Sequence, residues 1–285
     1  CVISYMGENM NQNTQFPTGK PHVSFSEVRI WKECGWKHKL TYIDKVAPFE
    51  TSVHLEYGTI MHDALEHFLN HKELKIKEVK DKLTQTWNEC QFDLEDKIRE
   101  RYIIAEQQGW KYRHNYLEDW LAWSETALLG ISGFMDKNYP EWEFVSAEEQ
   151  LYESIDGEMS FKGFIDGIIK YKKGKKDKYV IIDWKTAGPR GWDRDKKTDI
   201  KTTAQLMLYK YYWGAKNNIS YRDIACNFVL IRRGIKTPEK VCQIVEVSAG
   251  DKSMMKANKM VKNMISYVKK GMFLKNRNSC KFCPF

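Results

Sequence analysis

Two acids and a lysine stand on neighbouring apolar runs: Asp166 within Phe161-Lys-Gly-Phe-Ile-Asp-Gly-Ile-Ile169, and Asp183 with Lys185 within Tyr179-Val-Ile-Ile-Asp-Trp-Lys185. An unpaired carboxylate or ammonium in a core is so unfavourable that such groups normally hold an ion, each other or a substrate. Strand side chains alternate, so Asp183 and Lys185 share a face about 7 Å apart while Trp184 points away. The charged stretch 171–178, with Gly174 at its centre, suits a hairpin, and antiparallel pairing then brings Asp166 towards Asp183. Two carboxylates with water completing the shell suit Mg²⁺ or Mn²⁺ better than zinc, which favours nitrogen and sulfur. An ammonium beside such an ion orients a water or stabilises charge on a phosphate under attack. D-x-K alone would fit an exposed ion pair equally well. The longer order of acid, hairpin and then apolar-apolar-D-x-K favours the metal site.

These residues need a sheet to carry them and helices to close around them. Alternating and apolar runs predict strands at 144–154, 159–171, 178–185, 225–232 and 241–247, with Asp156-Gly157 as the first hairpin turn. Helical spacing predicts helices at 27–39, capped from Ser24 to Ser26, and at 57–69, 202–214 and 251–270. Residues 73–130 read as helical almost throughout, with Trp87, Trp110, Tyr116, Trp120 and Trp123 at roughly helical intervals. These aromatics fit a helical core better than a platform for bases. On the helix 57–69, His62 and Glu66 share a face, with Gly58 one turn earlier giving room for another element. His62 either offers an imidazole to the metal or is a lone helix histidine beside a polar neighbour. Gln205 and Tyr209 also share a helix face, as a core hydrogen bond or as a grip on a substrate strand.

The chain has 285 residues, 42% hydrophobic and 29% charged, which is the composition of a globular protein with a large core and no membrane-spanning run. Cys1 is not Met and no charged region precedes an apolar one, so the expectation is a processed or incomplete chain without a signal peptide, cytoplasmic and intracellular. The net charge of +8 concentrates in the runs 170–178, 190–201 and 232–240 around the acidic centre, where polyanions would be drawn.

The pattern resembles the PD-(D/E)xK nuclease superfamily, and within it the RecB-like exonuclease branch that includes the CRISPR adaptation nucleases. The resemblance rests on Gly58-x3-His62-x3-Glu66, the acidic strand at Glu148-Glu149, Gly163-x-x-Asp166, Asp183-x-Lys185-Thr186 and Gln205-x3-Tyr209, in the family's order and spread from about Ser24 onwards. It implies a three-layer α/β/α restriction-endonuclease-like core with a central mixed sheet and a helical insertion. It implies that His62, Asp166, Asp183 and the Trp184 carbonyl bind Mg²⁺ or Mn²⁺, that Lys185 positions the attacking water, and that Gln205 and Tyr209 support the site and the DNA strand. Glu149, in preference to Glu148, would assist. Cys34, Cys280 and Cys283 fall where some relatives place ligands of a structural [4Fe-4S] cluster, the fourth ligand not being identified in this chain; reduced intracellular cysteines are the alternative.

The domain reading that follows is a disordered lead-in at 1–22, N-terminal helices of the nuclease domain at 23–72, a helical insertion at 73–140, and the nuclease core with its cysteine segment at 141–285. The expected activity is metal-dependent exonucleolytic hydrolysis of DNA in recombination, repair or end processing. A structure-specific or sequence-specific endonuclease, an inactive nucleic-acid-binding module and a metal enzyme acting on small phosphates are the rivals. DNA is the implied partner, beside a helicase or recombination protein that the sequence does not identify.

Overall fold

The structure, a computed structural model, describes residues 16–46, 53–109 and 117–285. Its elements in chain order are β1 (His22–Ser24), α1 (Phe25–Glu33), α2 (Gly35–His38), α3 (Val53–His71), α4 (Ile76–Gln107), α5 (Leu117–Asn138), β2 (Glu143–Ser154), β3 (Ser160–Lys173), β4 (Lys176–Ala187), α6 (Arg194–Thr198), α7 (Ile200–Lys216), β5 (Ile224–Arg232), α8 (Pro238–Val241), β6 (Cys242–Glu246) and α9 (Asp251–Lys269). Cys1, Trp110 and Tyr116 lie outside the described residues, as does the side chain of Cys90.

The strands make one mixed six-stranded sheet. β3 is antiparallel to β2 and β4, β4 is parallel to β5, β6 closes the far edge antiparallel to β5, and β1 lies parallel to the start of β3. The turns follow from their residues. Asp156 accepts from the N–H groups of Glu158 and Met159 at 3.1 and 2.9 Å, and Gly157 takes φ 89°, the left-handed conformation that glycine adopts at no steric cost. The expected Asp156-Gly157 turn is therefore the turn between β2 and β3.

Side-chain alternation buries both faces of the sheet. Phe161, Ile165, Ile168, Ile181, Phe228 and Leu230 meet α1, α7 and α9 on one side. Ile169, Val180, Ile182, Trp184, Val229 and Ile231 meet α3, α4 and α5 on the other. This is the expected α/β/α layering. The helical stretch between α3 and β2 contributes Leu83, Trp120, Leu128 and Ile131 to the second core, so Trp120 is core as its spacing suggested. Helix starts are capped by their own sequence: Ser24 accepts from the Glu27 N–H, Asp193 from Lys196 and Asp199 from Lys201.

Two expectations about the start of the chain need correction. Within the supposed disordered lead-in 1–22, Phe16 and Thr18 are buried and the Pro21 carbonyl accepts from Ser160, because β1 must reach the sheet from there. The expected helix 27–39 is interrupted at Cys34, which is extended at φ −162°. There the segment around Leu274 crosses so closely that a Cβ on Gly35 would lie 3.0 Å from the Leu274 nitrogen.

The arrangement around β3 positions the site. β4 pairs with β3 only from Gly167↔Ile182 to the hairpin, and β1 pairs only at Ser160–Lys162. On that edge, β3 residues 163–166 have no neighbouring strand, so β3 and β4 open into a fork. Alternation also breaks here, since Ile165 and Ile168 both pack towards α7 and α9. Across the same point on β2, Glu148 has φ 46°, a left-handed value uncommon outside glycine.

Candidate active site

Inside the fork, β4 continues alongside β5 while its other edge is free. In a strand, the N–H and C=O of one residue point to the same edge, so Trp184 presents both towards the opening. Its N–H donates to the Asp166 carboxylate at 2.8 Å. Asp166 Oδ2 also lies 3.4 Å from His62 Nδ1 of α3. His62 makes a backbone hydrogen bond with Trp184 that favours the protonated ring, and so runs to the Trp184 carbonyl. The residue whose side chain points away, packed 1% exposed in the α3-side core, thus supplies two backbone groups to the site.

Asp183 is fully buried, with no donor at its Oδ1 among the described residues. It forms an ion pair with Lys185, whose side chain is about a third exposed. Burial works against the Lys185 ammonium, but Asp183 and Asp166 more than compensate and hold its pKa above the ordinary lysine value. Asp166 moves the other way from a typical paired acid. Burial first, then the charge of Asp183, push its carboxyl well above the usual range, against the pull of Lys185 and the Trp184 N–H. Burial and the Lys185 charge lower His62, which favours the neutral ring that binds cations.

α7 closes the other side. Gln205 donates to the Tyr209 hydroxyl at 3.1 Å, and Tyr209 makes a further hydrogen bond with the Phe164 backbone in the unpaired stretch of β3. Burial and the nearby Asp183 charge raise the phenol, so it stays protonated. Gly163 is what lets this ring in: a Cβ there would lie 2.7 Å from Tyr209 Cε1. Gly167 likewise admits Leu69 of α3, at 2.5 Å from where a Cβ would be. Gly58 does not have the role its spacing suggested, since a Cβ would meet only Thr186 at an ordinary 3.7 Å.

The fork therefore gathers His62, Asp166, the Trp184 backbone, Asp183, Lys185, Gln205 and Tyr209. The two glutamates of β2 separate. Glu149 pairs with Lys216 near the end of α7 at 2.9 Å. Glu148, across the sheet, is raised by burial and by the charges of Glu66, Asp63 and Asp183, which puts it with the site's acids. Arg29 of α1, which sequence reasoning did not single out, is close enough for its charge to reach Lys185.

Among the described residues, no three His, Cys, Asp or Glu side chains make a closed metal-binding group. An open site is what a hard cation of the Mg²⁺ type uses, keeping several waters and taking one or two carboxylates. The buried Asp183 Oδ1, with no hydrogen-bond donor among the described residues, is matched to such a cation. The cysteines behave differently. Burial would raise the Cys34 thiol, but hydrogen bonds from the Asn276, Lys37 and Trp36 backbones and from Ser279 outweigh it, and its pKa falls below the ordinary value. Cys280 lies 3.9 Å from the Asn276 carbonyl, so the C-terminal segment does dock beside Cys34. Cys34, Cys280 and Cys283 are free thiols. Cys226 and Cys242 are buried thiols, both pushed up to about 12 by burial.

The basic runs are not equally placed. The hairpin tip pairs Lys173 with Lys176, roughly 20 Å along the strands from Asp166 at about 3.3 Å per residue. There Lys170 and Lys172 pair with Asp177, and Lys178 with Asp223. The run 170–178 therefore does not flank the acids, whereas 190–201 and 232–240 follow the C-terminal ends of β4 and β5 on the site's side. No helix among the described residues is long and apolar enough to cross a membrane.

Comparison with known proteins agrees with this geometry. A family model describing the PD-(D/E)XK nuclease superfamily matches residues 22–285. No curated protein matches. Among solved structures, the crystal structure of a "putative exonuclease" from Eubacterium rectale aligns with a TM-score of 0.50 at 12% identity, covering 99% of this chain and 92% of that one.

Proposed function

The chain belongs to the PD-(D/E)xK nuclease superfamily, and from that premise we propose that it is a divalent-metal-dependent deoxyribonuclease acting from DNA ends. The observation that carries the reading is Asp183, buried at the mouth of an open fork with its Oδ2 paired to the Lys185 ammonium and its Oδ1 left without a donor among the described residues. Asp183, Asp166, His62 and the Trp184 carbonyl would hold a Mg²⁺ or Mn²⁺ ion, which supplies Lewis-acid activation of the phosphodiester and of water.

The residues of the chain do the rest. Trp184 fixes the Asp166 carboxylate through its N–H, so that this acid enters the site already oriented. Lys185, kept cationic by the two aspartates, orients the water and opposes the charge that builds on the phosphate oxygens. Tyr209, held by Gln205 and kept neutral, offers a hydroxyl to the strand being cut. Glu148, among the site's acids, supports the same centre in the role expected of Glu149. The basic runs 190–201 and 232–240 draw the DNA in. The exonuclease form follows the RecB-like motif order and the printed name of the structural neighbour; roles in recombination, repair or end processing, with a helicase or recombination partner, belong to the same reading.

The test is cleavage of end-labelled linear DNA beside covalently closed circular DNA, in Mg²⁺, Mn²⁺ or chelator. The expected result is metal-dependent loss of the linear substrate only, abolished by Asp183→Ala and by Lys185→Ala in proteins that melt cooperatively. Cutting of the circle would make the protein an endonuclease. Undiminished cleavage by both variants would remove the catalytic assignment.

A further inference from the structure

Upstream of Asp166, the α3-side face of β2 and β3 carries exposed rings. On β3 and β2 the residues with their backs to Phe161, Gly163, Ile165 and Leu151 are Lys162, Phe164, Gln150 and Tyr152, with Tyr152 opposite Lys162 and Gln150 opposite Phe164. Phe164 is 43% exposed and Tyr152 46% exposed, in strands whose other face buries Phe161, Ile165 and Leu151. The Lys162 ammonium stands 5.6 Å from the Phe164 ring centre. His22 of β1 meets the Tyr152 ring edge-on at 5.7 Å. His22 is lowered first by burial and then by the charge of Lys162; Lys20, which adds to it, stands 5.8 Å from the Tyr42 ring centre.

We infer that this face is a landing platform for single-stranded nucleic acid, on which Phe164 and Tyr152 stack bases and Lys162 meets the phosphates. The occupant follows from three features. Two open rings on adjoining strands with Lys162 between them offer sequence-tolerant stacking and backbone neutralisation together. Bases are free to stack on such rings only when unpaired, because in a duplex they are already stacked on each other. The platform is also continuous with the fork: Phe164 is two residues from Asp166 on the same strand, about 7 Å along it, and the Phe164 backbone bonds to Tyr209. A strand resting on the platform is thereby led to the acids with its bases held and its backbone turned towards them. The inference rests on the nuclease reading for its substrate, and it adds that an unpaired strand is the form delivered.

The test uses the full chain. Binding of a fluorescently labelled poly-dT strand and of a blunt duplex of equal length is measured in chelator for the wild type, Phe164→Ala, Tyr152→Ala and Phe164→Trp. Because both rings are surface side chains, the alanine variants should keep the wild-type melting temperature. Expected are losses of about tenfold or more in poly-dT affinity for each ring removed, retention by Phe164→Trp, and unchanged duplex binding. Wild-type poly-dT affinity in both alanine variants, or an equal loss on the duplex, overturns the platform. Adding Mg²⁺ to the same proteins separates the two readings. A wild type that binds poly-dT through its rings but cuts no DNA upholds the platform and sinks the nuclease. Normal cutting and binding of poly-dT by the alanine variants sinks the platform alone.

Discussion

From Gly167 to Lys170, β3 is paired with a strand on both edges and buries Ile168 on one face and Ile169 on the other. From Ser160 to Asp166 the same strand keeps β2, touches β1 for three residues and then has no neighbour on the edge where β4 has diverged. The first of these stretches is occupied with stability. The second carries Gly163, Phe164 and Asp166, and its open edge is closed by side chains instead of a strand: Asp166 takes the Trp184 N–H and Tyr209 takes the Phe164 backbone. A ladder there would have satisfied the same backbone groups at less conformational cost, but it would have left nowhere for a carboxylate pair and a phosphate. The difference teaches that the site is made by ending a strand pairing early.

Breaking the open half should cost function and spare the fold. Asp166→Asn keeps an oxygen for the Trp184 N–H but removes the charge, and cleavage should fall about a thousandfold or more, the scale of losing a charged partner of the reacting phosphate. The same change should stabilise the metal-free protein. Asp166 has a folded-state pKa above its ordinary value, so the native state binds the extra proton and metal-free stability falls as pH rises from the ordinary carboxylate range through the raised one. Melting in chelator should therefore show Asp166→Asn above the wild type at neutral pH, with the gap closing as pH drops towards 4. A variant that melts below the wild type at pH 7 would contradict this.

Breaking the closed half should do the reverse. Ile168→Ala removes a fully buried side chain between the sheet and the α7 and α9 layer, and should cost about 2–5 kcal/mol in denaturant unfolding. Its cleavage rate well below the melting temperature should stay near that of the wild type. If Ile168→Ala loses activity as Asp166→Asn does, the two halves are not separable.

Glu148→Gln sharpens the comparison on the partner strand. Glu148 stands across from Asp166 and is raised by the site's other acids, so neutralising it should lower cleavage about 10- to 100-fold, as loss of a supporting group around a metal does. An unchanged rate over a Mg²⁺ titration would return Glu148 to the solvated surface. Gly163→Ala is a smaller step: its methyl would press into the Tyr209 ring, and repacking should cost about 1–3 kcal/mol of stability with a parallel loss of rate. Stability lost without rate would mean that the Tyr209 ring is only packing.

Much of this was legible in the residues. The acids, the lysine and the His62 and Gln205–Tyr209 helices were readable because charges on apolar runs and same-face helical pairs are local signals, and the Asp156-Gly157 turn fixed where β3 begins. Counting back from that turn, with Ser154 opposite Ser160, also sets Glu148 across from Asp166, the position on which its proposed role rests. What could not be read was long-range. β1 depends on a contact across more than a hundred residues, the fork depends on where β4 leaves β3, and the position of the run 170–178 at the far end of the hairpin follows from strand length and not from composition. The cysteines show the limit most plainly. Spacing suggested a shared cluster, and Cys34 and Cys280 do both reach Asn276, but that meeting is decided by the path of the chain, which no local pattern encodes.

Glu149 gives the smallest and most discriminating effect. It lies on β2 one residue from Glu148, next to the open half of β3, but it turns to the α7 side and meets Lys216 at 2.9 Å, where the lysine also reaches the Gln150 carbonyl. Lys216 is more than a third exposed, so solvent screens the pair and its worth is at most about 1 kcal/mol. Glu149→Gln should therefore lower stability by less than that, the more so at high salt, and leave cleavage and its metal dependence where they are. A drop in cleavage comparable to that of Glu148→Gln would show that the acidic strand acts through both of its glutamates, and that the left-handed turn at Glu148 does not divide a working face of β2 from a structural one.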